Sequence, residues 1–412
     1  MMKVVISIGL GRLHLMSSAE WLAKAGIDIS MICGWVPRNS RGWMVRVCSR
    51  IVGRDLSYGM AKRLTAASKI RIISMPIADF FDQGLRVMNR ILFRGRFHGA
   101  VSHVGWSIFG YMSRRHIKDA EIFHCRAGAG QAGAIAVARH RGLKVLVDQS
   151  ALHPGQTEQN LKEDYERWGQ KLAIAPNYGV WRNVVADCKD ADMVLVNAEH
   201  IRDSFVSRGI PPEKFRIVRL GVREDFHGLK KTYEMTGCVK ILFTGGFSIL
   251  KGAEYALEAI RILKDRGLDA RFDVVGSVVI PEALKNKYSD VNIVYHGVLP
   301  QDDLKTFLSE CDYYLFPSLA DGCAQSGMEA LAAGLPVVAT YQSGLPITDG
   351  ETGCVVPMKD PLAIADKIEW LDRHDADRER IGRAAARLIR ENYTWEKYAE
   401  NVKKVYEELL AQ

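Results

Sequence analysis

The sequence predicts an α/β fold of two units, each a doubly wound parallel sheet, and three observations carry that expectation. Apolar, β-branched runs such as residues 335–340 have the composition of strands buried on both faces of a parallel sheet. These runs alternate with helical stretches through polar, Gly-containing loops: 313–316 reads as a strand, 317–327 as a loop, 328–333 as a helix, and Gly334 stops that helix. A chain of 412 residues is also long enough for two domains with a core each, and its 48% hydrophobic and 25% charged residues are those of a globular protein.

In chain order, residues 3–8 read as a strand and 17–25 as an amphipathic helix, joined by Gly9-Leu10-Gly11-Arg12-Leu13-His14. The two glycines suggest a dinucleotide loop. His14 replaces the third glycine, however, and no acid ends the next strand near Cys33, so nicotinamide or flavin binding is not expected. His14 is either a ligand-facing group or the exposed residue of a tight turn. Alternation breaks over residues 35–71, where Trp35, Trp43, Met44, Val45, Val47 and Ile51 stand among Arg38, Arg41, Arg46, Arg50 and Arg54; residues 86–97 repeat the mixture. It resumes with strand 121–124, a small-residue helix 129–140 and strand 144–148. The polar segment after that strand holds His153, placed where ligand groups collect or as a helix cap. Residues 191–199 give a further strand, 201–208 its helix, and 227–236 a charged linker. The second unit opens with strand 239–243 and a turn containing Gly245, Gly246, Lys251 and Gly252. Ala256, Leu257, Ile260 and Leu263 make one face of the helix behind it. Strands 271–276 and 291–296 follow, then a loop holding Val298, helix 361–371, and a last helix with Tyr398, Val402, Val405 and Leu409 on one stripe.

Eight cysteines without CxxC spacing suggest a reduced, cytoplasmic protein with neither a zinc site nor a disulfide framework. No apolar run approaches the length of a membrane span or a signal peptide. The net charge of +8 is uneven: residues 1–100 hold 16 Lys/Arg against 5 Asp/Glu, and the rest 40 against 43. Basic residues interleaved with Trp, Phe and Leu suit an anionic membrane interface, or equally a solvated basic face. Nucleic acid fits less well, since no binding module accompanies the charge.

The loop 318–327 and its helix organise the second unit. Free N–H groups of Ser326, Gly327 and Met328 would open the helix and favour a phosphate. Asp321 and Glu329 stand eight positions apart across the helix start. Ser326-Gly327-Met328-Glu329 is also a capping box, with Glu329 reaching back to Ser326. The spacing of the two acids resembles the paired-acid signature of retaining GT-B nucleotide-sugar glycosyltransferases, particularly glycosyltransferase family 4. That resemblance implies two Rossmann-like domains facing across a cleft: 1–228 for the acceptor, 229–390 for the donor, and 391–412 as a helix returning to the first domain. It places Glu329 on the donor ribose and Asp321, one methylene shorter than the commoner Glu, beside the donor sugar. It also puts Lys251 on the diphosphate, Val298 against the base, and Gly245 and Gly246 in the donor turn. Gly11 and His14 fall to the acceptor, and His153, on donor or acceptor, counts with Asp321 and Lys251 among the catalytic candidates. The family's usual Arg five residues before the Lys is Gly246 here, and its Gly-Val-Asp at the end of the first domain is Gly221-Val222-Arg223.

The resemblance implies transfer of a sugar from a nucleoside diphosphate sugar to a glycan or lipid-linked acceptor in cell-envelope or exopolysaccharide synthesis. No cofactor or metal is expected, because no Asp-x-Asp stands near the cleft motifs; Asp190-Ala191-Asp192 reads as the lead-in to a buried strand. The rivals are a non-catalytic GT-B nucleotide-sugar-binding protein and a GT-B isomerase or phosphorylase. The expected location is cytoplasmic, with peripheral attachment to the inner face of the membrane if the basic half meets lipid.

Overall fold

The computed structural model describes residues 1–10, 14–37, 39–52, 55, 57, 70–235 and 237–412. Gly11, Arg38 and Arg54 therefore lie outside the described residues. The first lobe runs β1 (Lys3–Ser7), α1 (Leu15–Lys24), β2 (Asp28–Cys33), α2 (Trp43–Val52), β3 (Arg71–Ser74), α3 (Pro76–Phe93), α4 (His98–Ser113), β4 (Ile122–Arg126), α5 (Ala134–His140), β5 (Lys144–Gln149), α6 (Pro154–Arg167), α7 (Val180–Asp190), β6 (Met193–Val196), α8 (Glu199–Val206) and β7 (Phe215–Ile217). The second runs β8 (Val239–Thr244), β9 (Phe247–Ser248), α9 (Ala253–Asp265), β10 (Ala270–Val275), β11 (Val278–Val279), α10 (Glu282–Lys287), β12 (Ile293–Gly297), α11 (Gln301–Glu310), β13 (Tyr313–Phe316), α12 (Gln325–Ala333), β14 (Val337–Thr340), β15 (Cys354–Val356), α13 (Pro361–Arg373) and α14 (Asp375–Asn392); α15 (Trp395–Ala411) closes the chain.

Two parallel sheets result, ordered β3-β2-β1-β4-β5-β6-β7 and β12-β10-β8-β13-β14-β15. In each, the chain winds outward from its first strand and then returns to that strand's other side. The reversals fall between β1 and β4 and between β8 and β13, and the loops at the carboxyl ends of such strands form a crevice. Strand β13 carries Tyr313, Tyr314, Leu315 and Phe316 with every side chain buried, as the unbroken apolar run requires of a strand covered on both faces.

The final helix packs on the first lobe. Its stripe of Tyr398, Val402, Val405 and Leu409 enters the core with Leu15 and Leu22 of α1. Ser18 donates a hydrogen bond to the Tyr398 hydroxyl at 3.1 Å.

Some boundaries differ from the sequence reading for identifiable reasons. Helix α5 starts at Ala134 rather than 129 because buried Asp187 accepts the N–H groups of Gly128 (2.6 Å) and Gly130 (2.8 Å) and the Gln131 amide (2.7 Å), holding that stretch as a loop. Burial pushes Asp187 up to about 7 against the pull of those donors. The irregular stretch 35–71 contains α2 and meets the short β3 at Arg71. Strands β9 and β11, two residues each, pair into a ribbon too short for any periodicity to announce. Asp192 is spent structurally: it accepts the N–H of Val145 at 2.7 Å and pairs with Arg139 at 3.1 Å.

Candidate active site

Between the lobes lies a cleft of about 1280 Å³, lined by His14, Ser150 and Asn197 from the first lobe and by Asp321, Gln325 and Glu329 from the second, with Arg223 and Arg390 also in its wall. Carboxylates, guanidinium groups and an imidazole facing one cavity suit a polar, charged ligand.

Two β-to-α connections build the second-lobe side. After β8 the chain makes a short helical turn, Ile249–Lys251, and enters α9 through Gly252 at φ +75°. A Cβ on Gly252 would collide with the Pro317 carbonyl, so glycine alone lets this turn lie against the loop after β13. The Leu319 N–H donates to the Leu250 carbonyl at 2.9 Å and fastens the two loops together. The Lys251 ammonium consequently reaches the Asp321 carboxylate and forms an ion pair with it. The second Asp321 oxygen accepts the Gly322 N–H at 2.8 Å.

Helix α12 begins at Gln325, three residues earlier than the sequence suggests, with Ala324 as N-cap. Met328 donates its N–H to Ala324 at 2.9 Å and buries its side chain fully, so its amide is not available to a ligand. The first-turn donors are instead Gln325, Ser326 and Gly327. Ser326 does not cap: its hydroxyl donates to the Thr244 carbonyl (3.0 Å) and accepts from the Tyr314 hydroxyl (2.9 Å). The capping-box alternative for Glu329 is thereby overturned, because the helix starts a residue before Ser326 and leaves Glu329 in its second turn, lining the cleft. Burial pushes the Glu329 carboxyl up to about 7, against the pull of Arg223.

Gly245 lies beside this helix start; a Cβ there would stand 4.0 Å from the Ser326 hydroxyl. Gly246 adjoins Ser277 and brings no cation. Val298 is exposed on the loop after β12.

The first-lobe side rests on a buried carboxylate that the sequence did not single out. Asp148, near the end of β5, lies 3.1 Å from Nε2 of His14 and 3.8 Å from Nε2 of His124, whose Nδ1 is 2.7 Å from the Tyr406 hydroxyl. Burial opposes ionisation of Asp148, yet the two histidines outweigh it and hold the carboxyl well below its ordinary range. His14 is thus a cleft-lining histidine whose ring is fixed from behind.

His153 sits elsewhere, at the N-cap of α6. Its Nδ1 accepts the Gly155 N–H at 3.0 Å, its own N–H donates to Ser204 at 2.9 Å, and its ring packs edge-on to Phe205. Burial and then the charge of Arg208 bring it down to about 4, so it caps as a neutral acceptor at neutral pH.

The loop carrying Asp321 is also stapled to the first lobe. His200 donates to the Asp321 carbonyl at 2.7 Å, Gln325 to the Gly221 carbonyl at 3.2 Å, and Asn160 to the Leu319 carbonyl at 2.8 Å. Gly322 lies against the Ser150 carbonyl, where a Cβ would clash. Asp148 had a signal in the sequence, an acid at the carboxyl end of a buried strand. His200 had none, since its partner lies 121 positions away.

Solved structures share this architecture over the whole chain. That of Anabaena Alr3699/HepE in complex with UDP and glucose matches at a TM-score of 0.65 over 99% of this chain and 100% of its own, at 11% identity. The fold is GT-B. Within it, residues 238–374, the body of the second lobe, match the family "Glycosyl transferases group 1". Among curated proteins, the amylovoran biosynthesis glycosyltransferase AmsK of Erwinia amylovora is 32% identical over 186 residues, 42% of this chain and 45% of that protein. The putative colanic acid biosynthesis glycosyltransferase WcaL of Salmonella typhimurium is 29% identical over 199 residues, 45% and 49% of the two chains. The match thus spans about half the length of these relatives. The chain thus has the GT-B fold, and its second lobe is similar to the glycosyl transferases of group 1.

Proposed function

We propose that this GT-B protein is a retaining glycosyltransferase that moves a sugar from a nucleoside diphosphate sugar to a glycan or lipid-linked acceptor in exopolysaccharide or envelope synthesis. The observation that carries the reading is the convergence, at the second-lobe switch point, of Lys251, the opening N–H groups of α12 and the carboxylates of Asp321 and Glu329. The positive end of α12 and the Lys251 ammonium hold the diphosphate, Glu329 accepts from the ribose hydroxyls, and Asp321 lies beside the sugar. When the diphosphate arrives, Lys251 exchanges part of its pairing with Asp321 for the phosphate oxygens. That stabilises the charge developing on the leaving group without a metal. The acceptor enters from the His14 side, where the Asp148-braced imidazole meets a sugar hydroxyl. Support comes from the similarity to AmsK, an amylovoran biosynthesis glycosyltransferase, and to WcaL, a putative colanic acid biosynthesis glycosyltransferase, and from the UDP in the HepE complex. We place the protein in the cytoplasm, peripheral to the inner face of the membrane; no helix among the described residues is long and apolar enough to cross one.

One observation favours a second reading, a nucleotide-sugar-binding protein without turnover: Gly246 removes a cation from the donor turn, and the cation that remains is already paired. Titration with UDP- and GDP-sugars followed by a donor-hydrolysis assay decides between them. Binding with turnover is expected of the transferase, binding without turnover of the scaffold, and no binding of either nucleotide contradicts both.

A further inference from the structure

Helix α3 is inside out. The residues a water-facing helix displays are turned inward. Asp79 accepts the Trp35 N–H at 2.9 Å, Asp82 pairs with Arg86 at 2.7 Å, and Asn89 accepts the Phe97 N–H at 3.1 Å. Asp82 is 2% exposed and Asn89 4%. Gly105 of α4 lies where any larger side chain would strike the Asp82 carboxylate. The opposite stripe, Ile77, Phe81, Gly84, Met88 and Ile91, repeats at helical spacing and faces outward. Ile77 is 67% exposed, Ile91 71% and neighbouring Leu92 65%. Rotating α3 to bury this stripe would break the Asp79–Trp35 and Asn89–Phe97 bonds and carry Asp82 away from the space that Gly105 leaves for it, so the outward orientation is built into the fold.

Adjoining elements extend the same surface. In α2, Val45 and Cys48 pack on Trp35, whose ring lies 5.0 Å from that of Phe80, while Trp43, Met44 and Val47 are exposed on α2. The turn into α4 adds exposed Phe93 and Phe97 with Arg94 and Arg96.

We propose that the outward stripe of α3, flanked by these arginines, inserts into the interface of an anionic lipid bilayer. This deepens the peripheral location given above and rests on it. Charge selects the occupant. A second copy would bring two such surfaces together, each belonging to a segment with 16 Lys/Arg against 5 Asp/Glu, whereas an anionic bilayer supplies hydrocarbon and opposite charge at once. With 18 residues α3 is about 27 Å long at 1.5 Å per residue, and with one polar face it lies in the interface plane rather than across it.

The test is co-sedimentation of the full chain with phosphatidylcholine vesicles with and without 30 mol% phosphatidylglycerol, at low and high salt. Wild type should partition to the anionic vesicles. The double variant Ile91→Asp/Leu92→Asp should lose partition by about tenfold or more, since each large apolar side chain removed from water is worth roughly that factor. Arg90→Gln/Arg96→Gln should lose mainly the salt-sensitive part. Ile77→Asp serves if the double variant does not fold, as judged by its melting curve. Nucleotide titration of the same preparations should be unaltered by these substitutions; a wild type that binds vesicles but no nucleotide would count against the donor site and leave this surface standing. The proposal is overturned if wild type stays in the supernatant at low salt or if the aspartates leave partition unchanged. It is equally overturned if wild type is a dimer without lipid that the aspartates dissolve, which assigns the stripe to a second copy.

Discussion

The two lobes share one winding, six strands in the order 3-2-1-4-5-6 with the first lobe adding a seventh, yet they place chemistry at their switch points differently. In the second lobe the candidate groups come from two connections, Lys251 from the one between β8 and α9 and Asp321 to Glu329 from the one after β13 and the first turns of α12. In the first lobe the corresponding point is backed by Asp148, His14 and His124, drawn from three separate strands or their loops and sealed by Tyr406 from the far end of the chain. One site is local in sequence and the other is assembled by the fold. Local sites tolerate loss of a side chain without loss of structure, whereas an assembled, buried one does not.

That contrast can be broken at several points. The largest expected effect is at Asp148→Ala, which strips a buried carboxylate from two histidines and should cost about 3 kcal/mol of stability by chemical denaturation. A loss under about 1 kcal/mol would mean that the first-lobe site is as loosely coupled as the second. Next is Lys251→Ala, which should lower kcat by about 100-fold or more with little change in melting temperature, and Lys251→Arg should recover part of that loss. Equal turnover in all three proteins would remove Lys251 from the site. Smallest is His153→Ala, which should cost about 1 kcal/mol as a lost helix cap and leave kcat within about twofold. A selective loss of kcat there would return His153 to catalysis.

Legibility follows the same division. Alternating apolar runs and Gly-containing loops disclosed both sheets, and the Tyr398 to Leu409 stripe disclosed a helix with one buried face. Asp321, Lys251 and Glu329 were visible because a strand, a loop and a helix start stand together in sequence. What escaped detection depended on distance or on inversion. The His200 bond to the Asp321 loop and the His14–Asp148 pair join residues more than a hundred positions apart. The α12 start was misplaced because Ser326 looks like a cap when its hydroxyl is engaged by Thr244 and Tyr314. Over α3 the sequence left a membrane interface and a solvated basic face equally open, and nothing in it announced that the fold buries Asp79 and Asp82.

The central claim, that the second-lobe switch point binds a nucleotide through Glu329, is tested most directly by isothermal titration of UDP and GDP into wild type and Glu329→Gln at pH 6 and pH 8. Burial holds the Glu329 carboxyl at about 7, raised from its ordinary 4.5. The folded chain therefore binds this proton more tightly than the unfolded one; the cost to stability is present above pH 7 and is relieved as pH falls through 7 toward 4.5. Ribose recognition by a carboxylate has the opposite slope, because the accepting, ionised form fills only above pH 7. Wild-type affinity for the favoured nucleotide should rise about tenfold between pH 6 and pH 8 relative to Glu329→Gln, whose amide does not titrate. Affinities that run parallel in the two proteins across that range would contradict the claim.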